Sequence, residues 1–101
     1  MAQIPKFVEE FKMIDEDLCR QVTATTELAM QPGALDVKTK LLITLALDSF
    51  KGAGEGVKVV AAQARAAGAT DQEMAEAIRL AYFVAGLDVI KTGLNAFNSQ
   101  K

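Results

Sequence analysis

The chain has 101 residues, enough for one hydrophobic core and one domain spanning residues 1–101. Its net charge is −2 with acids and bases interspersed, so no Lys/Arg cluster exists to neutralise a phosphate backbone, and no nucleic-acid partner is expected. One Cys and no His leave no internal disulfide and remove the commonest neutral-pH base and zinc ligand, so neither a metal site nor a cofactor is expected.

Half of the residues are apolar, yet Trp is absent and the aromatics are five Phe and one Tyr. An interior of Leu, Ile, Val, Met and Ala favours helix, and strand-type alternation is scarce. At the N-terminus, MAQIPKFVEEF carries acids where a secretion signal needs an apolar stretch. No apolar run approaches the ~20 residues that span a bilayer. A soluble, cytoplasmic protein with no membrane partner is expected.

The first helix is expected to begin near Pro5, which suits a first helical turn. Phe7, Val8, Phe11, Ile14 and Leu18 follow at helical spacing as one apolar stripe, with a bend or restart at Asp15–Asp17. RQVTATTELAM, with its β-branched threonines, is a weaker helix. Pro32-Gly33 interrupts the chain. A third helix opens at Asp36 as N-cap, turns Leu41, Leu42, Leu45 and Phe50 inward, and stops in the glycines of KGAGEG. A fourth runs from about Gly54 to Ala67, with Gly68 as a left-handed C-terminal cap. Thr70-Asp71-Gln72-Glu73 has capping-box spacing and starts a fifth helix, with a break at Gly86 and Asp88 before a last helix carrying Ile90, Leu94 and Phe97. Leu80–Leu87 holds no charge, and a helix apolar all round must be covered on more than one side; association of subunits is the simplest cover.

Gly52, Gly54 and Gly56 raise the question of a phosphate loop. GAGEG has neither dinucleotide nor Walker spacing and follows a helix where a strand is needed. A helix–helix turn is the plainer reading, although a helix start near Gly54, with Lys51 and Lys58 nearby, would present free N–H groups.

Three stretches occur in a telling order: Leu35-Asp36-x-Lys38-Thr39, the Leu42-Ile43-x-Leu45-Ala46 run, and Ala67-Gly68-Ala69-Thr70 followed by Glu73, Glu76 and Ala77. Together they resemble the carboxymuconolactone decarboxylase family, which includes the alkylhydroperoxidase D-like proteins, over roughly residues 30 to 90. The resemblance implies an all-α, five- to six-helix, bundle-like orthogonal domain, assembled as a homo-oligomer, a trimer or hexamer. Its redox members carry a C-x-x-C-x-x-x-H motif between those landmarks and a glutamate one helix earlier. One thiolate attacks a peroxide, the second resolves the sulfenic acid, and His with Glu moves protons. Counted back from Gly68, the motif positions fall here at Ala53, Gly56 and Val60, and the glutamate position at Leu41. All four are chemically silent, so the redox relay is not carried over, and a non-catalytic binding or scaffold protein, a pseudoenzyme, is the leading expectation.

Few other residues bear chemistry. Asp48 shares a helix face with Leu41 and Leu45 (i, i+4, i+7) and stands near a helix C-terminus, where the macrodipole disfavours an acid. It is a candidate acid or base in a lyase or hydrolase acting on a small apolar carboxylate or lactone, with the Gly54 and Gly56 amides holding the ligand. A solvated Asp48 paired with Lys51 is the plainer reading. Tyr82 could turn its hydroxyl into the same cavity, or serve as a core or interface residue. Cys19 reads as a small core hydrophobe, Met13, Met30 and Met74 as packing residues, and Glu55 and Glu73 as acids favoured at helix starts.

Overall fold

The computed structural model describes residues 4–98. These are helical, with no strand among them, in six elements: α1 (Lys6–Phe11), α2 (Glu16–Met30), α3 (Val37–Phe50), α4 (Gly54–Ala66), α5 (Asp71–Gly93) and α6 (Asn95–Asn98). The fold is all-α. The chain divides into two compact units at Val37/Lys38.

The first unit holds α1 and α2. Pro5 stands one place before the expected position, as the N-cap of α1, its carbonyl accepting from the Val8 N–H at 3.0 Å. The expected restart is real. Asp15 adopts an extended backbone and its carboxylate accepts from the Leu18 N–H at 3.0 Å, opening α2 as a new helix. The stripe from Phe7 to Leu18 is therefore not one continuous face, and only Val8 of it is buried. The threonine-rich segment is fully helical. Thr23 and Thr26 return their hydroxyl protons to the carbonyls of Cys19 and Val22, at 2.8 and 2.9 Å, which leaves the helix ladder intact. α2 ends where Pro32 forces Gln31 into an extended conformation (φ −63°, ψ 142°). Met13 is almost wholly exposed and packs no core.

The second unit holds almost all of α3 and the helices after it. Its core is Leu41 and Leu45 of α3, Val60 and Ala64 of α4, Ala69 of the following turn, and Met74 of α5. Phe50 is exposed rather than inward, because nine residues after Leu41 it lies roughly 180° round the helix. α4 ends as its glycine predicts. Gly68 takes φ +97°, its N–H donates to Arg65 O at 3.0 Å, and the Ala69 N–H reaches Ala64 O at 2.9 Å. That pair of bonds is a Schellman motif, with the buried Ala64 and Ala69 as its apolar contact.

The Thr70 capping box forms in both directions: Glu73 N–H to Thr70 Oγ1 at 3.1 Å, and Thr70 N–H to Glu73 Oε1 at 2.9 Å. The expected break at Gly86 does not occur, and α5 runs unbroken through Gly93. A single interior glycine costs about 1 kcal/mol, too little to stop a long helix. The expected last helix is reduced to α6; Ile90 lies within α5 and Leu94 at its C-cap. On α5, Met74, Ala77, Ala81 and Ala85 form the least exposed stripe, while Leu80, Phe83, Val84, Leu87, Val89 and Ile90 are exposed.

Two substitutions measure what holds this unit. Leu45→Ala, at the most buried large side chain, should lower the free energy of unfolding by about 3 kcal/mol through its cavity. Thr70→Ala should lower it by about 1 kcal/mol through loss of the cap. Urea denaturation of each variant checks both.

Candidate functional site

Two glycines, Gly52 and Gly56, shape the connection from α3 to α4. Gly52 takes φ +73°, its N–H donates to Ser49 O at 3.2 Å, and the Ala53 N–H donates to Asp48 O at 2.9 Å. This second Schellman motif closes α3 and sets Ala53 as the N-cap of α4. Alanine offers no side-chain oxygen to the first amides of α4, and no side-chain cap bond forms there.

The Asp48 carboxylate comes to that helix start instead. A Cβ built on Gly56 would lie 2.9 Å from Asp48 Oδ2, 3.4 Å from its Cγ, and 3.6 Å from the Ala53 Cβ. Only a residue without a side chain leaves room for the carboxylate as it stands. This resolves the awkward placement of an acid in the last turn of α3, because the positive end of the α4 dipole faces it. The ion pairs of the described residues do not join Asp48 to Lys51, so the plainer sequence reading of Asp48 is replaced by its contact with α4.

Of the four silent positions, Ala53 and Gly56 thus meet at one point with Asp48, and Leu41 and Val60 are buried hydrocarbon in the core of the same unit. Asp48 also lines an open groove of about 570 Å³ with Thr44, Leu47, Phe50 and Lys51, all from α3 and its cap. None of Leu41, Ala53, Gly56 or Val60 lines it. The Thr44 hydroxyl donates to Lys40 O at 2.8 Å. Tyr82 is 80% exposed and is not turned into this groove, because it lies off the Ala77–Ala81–Ala85 stripe of α5. A carboxylate ligand held by the Gly54 and Gly56 amides would meet the like charge of Asp48.

Cys19 is a free, half-buried thiol rather than a core residue. It lines a groove of about 510 Å³ in the first unit with Glu9, Lys12, Glu16 and Arg20. Arg20 is engaged with Asp17 at 3.4 Å and Glu16 at 3.9 Å. Among the described residues no group of three or more His, Cys, Asp and Glu side chains is placed to hold a metal ion, and no helix is long and apolar enough to cross a membrane.

One interaction was invisible to sequence reasoning. Lys38 Nζ meets Glu73 Oε2 at 3.0 Å, joining the starts of α3 and α5. Nothing in their separation of 35 residues signals the pair, although each falls in one of the family-like stretches. Glu73 is held below its ordinary proton affinity, first by the Thr70 backbone N–H and then by Lys38.

A model of the carboxymuconolactone decarboxylase family matches residues 16–99. The chain belongs to the carboxymuconolactone decarboxylase family. The match begins at the first residue of α2 and takes in both glycine-closed turns and the capping box. No curated protein and no solved structure gives a significant match. Within this carboxymuconolactone decarboxylase family member, the α3–α4 turn brings Ala53 and Gly56, two of the four silent positions, together with Asp48.

The lowered proton affinity of Glu73 carries a pH signature. Its contribution to stability is present in full above the unfolded value near 4.5 and is lost as pH falls through the lower folded value. Acid titration of stability should therefore be shallower in Glu73→Gln than in the wild type below pH 4.5, read by chemical denaturation at stepped pH.

Proposed function

We propose that this carboxymuconolactone decarboxylase family member is a non-catalytic, homo-oligomeric binding or scaffold protein of the cytoplasm. The observation that carries the reading is the state of the four relay-equivalent positions. Leu41 and Val60 are packed hydrocarbon, Ala53 is a bare N-cap, and Gly56 is bare backbone under a carboxylate. No thiol, imidazole or amine stands there to attack a peroxide or pass a proton. The one thiol, Cys19, lies in the other compact unit and has no second Cys to resolve it.

Self-association is supported by the surface of α5. Leu80, Phe83, Leu87 and Ile90 are each more than half exposed, as is Phe97 beyond them, and a soluble monomer rarely leaves so much contiguous hydrocarbon in water. The family resemblance points to a trimer or hexamer, and closed symmetric assemblies are the rule among homo-oligomers.

A second reading keeps one observation in its favour. Asp48 lines an open groove, so a lyase or hydrolase acting on a small carboxylate or lactone would have an acid or base within reach of a ligand. Equal turnover of lactones and oxo-acids by wild type and Asp48→Asn would end it.

Two measurements test the proposal. Purified protein should reduce peroxides no faster than a Cys19→Ala control, and a robust signal abolished by that substitution would overturn the reading. Light scattering should give a mass of three or six chains, and Leu87→Arg should reduce it towards the monomer; a wild-type monomer would remove the oligomeric part.

A further inference from the structure

The geometry of the α3–α4 turn points to a role for Asp48 that is neither solvated charge nor acid–base catalyst. We propose that the Asp48 carboxylate uses the space left by the side chain missing at position 56, so that residues 48 and 56 compete for one spot at the start of α4 and the charge of Asp48 stands beside that position. The distances carry this: a Cβ on Gly56 would stand 2.9 Å from Asp48 Oδ2 and 3.4 Å from its Cγ. Contacts under about 3 Å to a carbon are inside van der Waals range, so one occupant must move.

What the carboxylate does there follows from the helix it faces. α4 begins with Ala53 as N-cap, which brings no side-chain acceptor. The first amides of a helix lack intrahelical partners and carry the positive end of its dipole. Asp48 brings negative charge to that end from the neighbouring helix, and its backbone carbonyl is anchored to Ala53 N–H at 2.9 Å. Both halves of the residue thus hold the turn. Any side chain at 56 would make the end of this flexible carboxylate shift from the place it holds against α4. Asp48 is a positioning residue for the turn, and it crowds position 56 and sets negative charge beside it. A thiol placed there would face a carboxylate, which disfavours the thiolate.

The inference deepens the non-catalytic reading but is tested without reference to activity, so either can fail alone. The first test is a stability cycle in full-length protein. Gly56→Ala adds helix propensity, and its gain in urea midpoint should be larger in an Asp48→Ala background than in the wild type. Equal gains in the two backgrounds would overturn the shared spot. The second test reads charge alone. In a Cys19→Ala background, the thiol of Gly56→Cys should be alkylated by iodoacetamide about tenfold faster at pH 7 once Asp48→Asn removes the charge and keeps the volume, with a pH midpoint lower by about one unit. Because the carboxylate has only to shift locally to admit a side chain at 56, rates and midpoints unchanged by Asp48→Asn would overturn the placement of its charge beside that position.

Discussion

Hydrocarbon in excess of interior is the constraint on which the structure depends. Half of the sequence is apolar, yet the described residues bury only Val8 in the first unit and Leu41, Leu45, Val60, Ala64, Ala69 and Met74 in the second. Small domains bury a smaller share of their surface than large ones, and here two of the six core residues of the second unit are alanines. Helices tolerate this because their backbone bonds are satisfied internally, whatever the side chains do. The surplus lies along α5, where large side chains stand outward of a stripe of Ala77, Ala81 and Ala85. Small residues let another backbone come close to that stripe, and the larger residues around it have no cover in the single chain.

With so little core to select among arrangements, the helix ends carry much of the specification. Three boundaries in the second unit, the ends of α3 and α4 and the start of α5, have a stated chemical cause. Gly52 and Gly68 take positive φ and close α3 and α4 by the same pair of carbonyl bonds, and Thr70 with Glu73 opens α5 reciprocally. Lys38 then uses the free oxygen of Glu73, so one carboxylate serves a cap and an inter-helix ion pair at once. The lowered proton affinity of Glu73 follows from that double engagement.

The features legible in the sequence are those with a local cause. The capping box, the Gly68 cap, the restart at Asp15 and the stop before Pro32 each depend on residues within a few positions of one another, and each was readable. The features that were not legible depend on distance or on absence. Gly86 looked like punctuation because its cost is real, but the cost is small against the length of α5. Phe50 looked inward by its hydrophobicity, while its angular position puts it opposite Leu41. The sequence places Asp48 near the end of its own helix, but its closeness to Gly56 of α4 appears only once the turn folds back. Lys38–Glu73 has no local trace at all.

The site itself separates two properties that catalysis ordinarily combines. A helix start favours a negative group, and a thiolate there gains both stabilisation and reactivity from the same field. A carboxylate supplied from the preceding helix satisfies the field equally well, while offering no atom that a peroxide can oxidise. Asp48 stands beside Gly56 in the first turn of α4, while Leu41 and Val60 are buried hydrocarbon. The fold then keeps its turn, its two glycine closures and its charge balance with no reactive group at the four positions. The interactions that hold the turn together, two positive-φ glycine closures and backbone hydrogen bonds, are made without any reactive side chain.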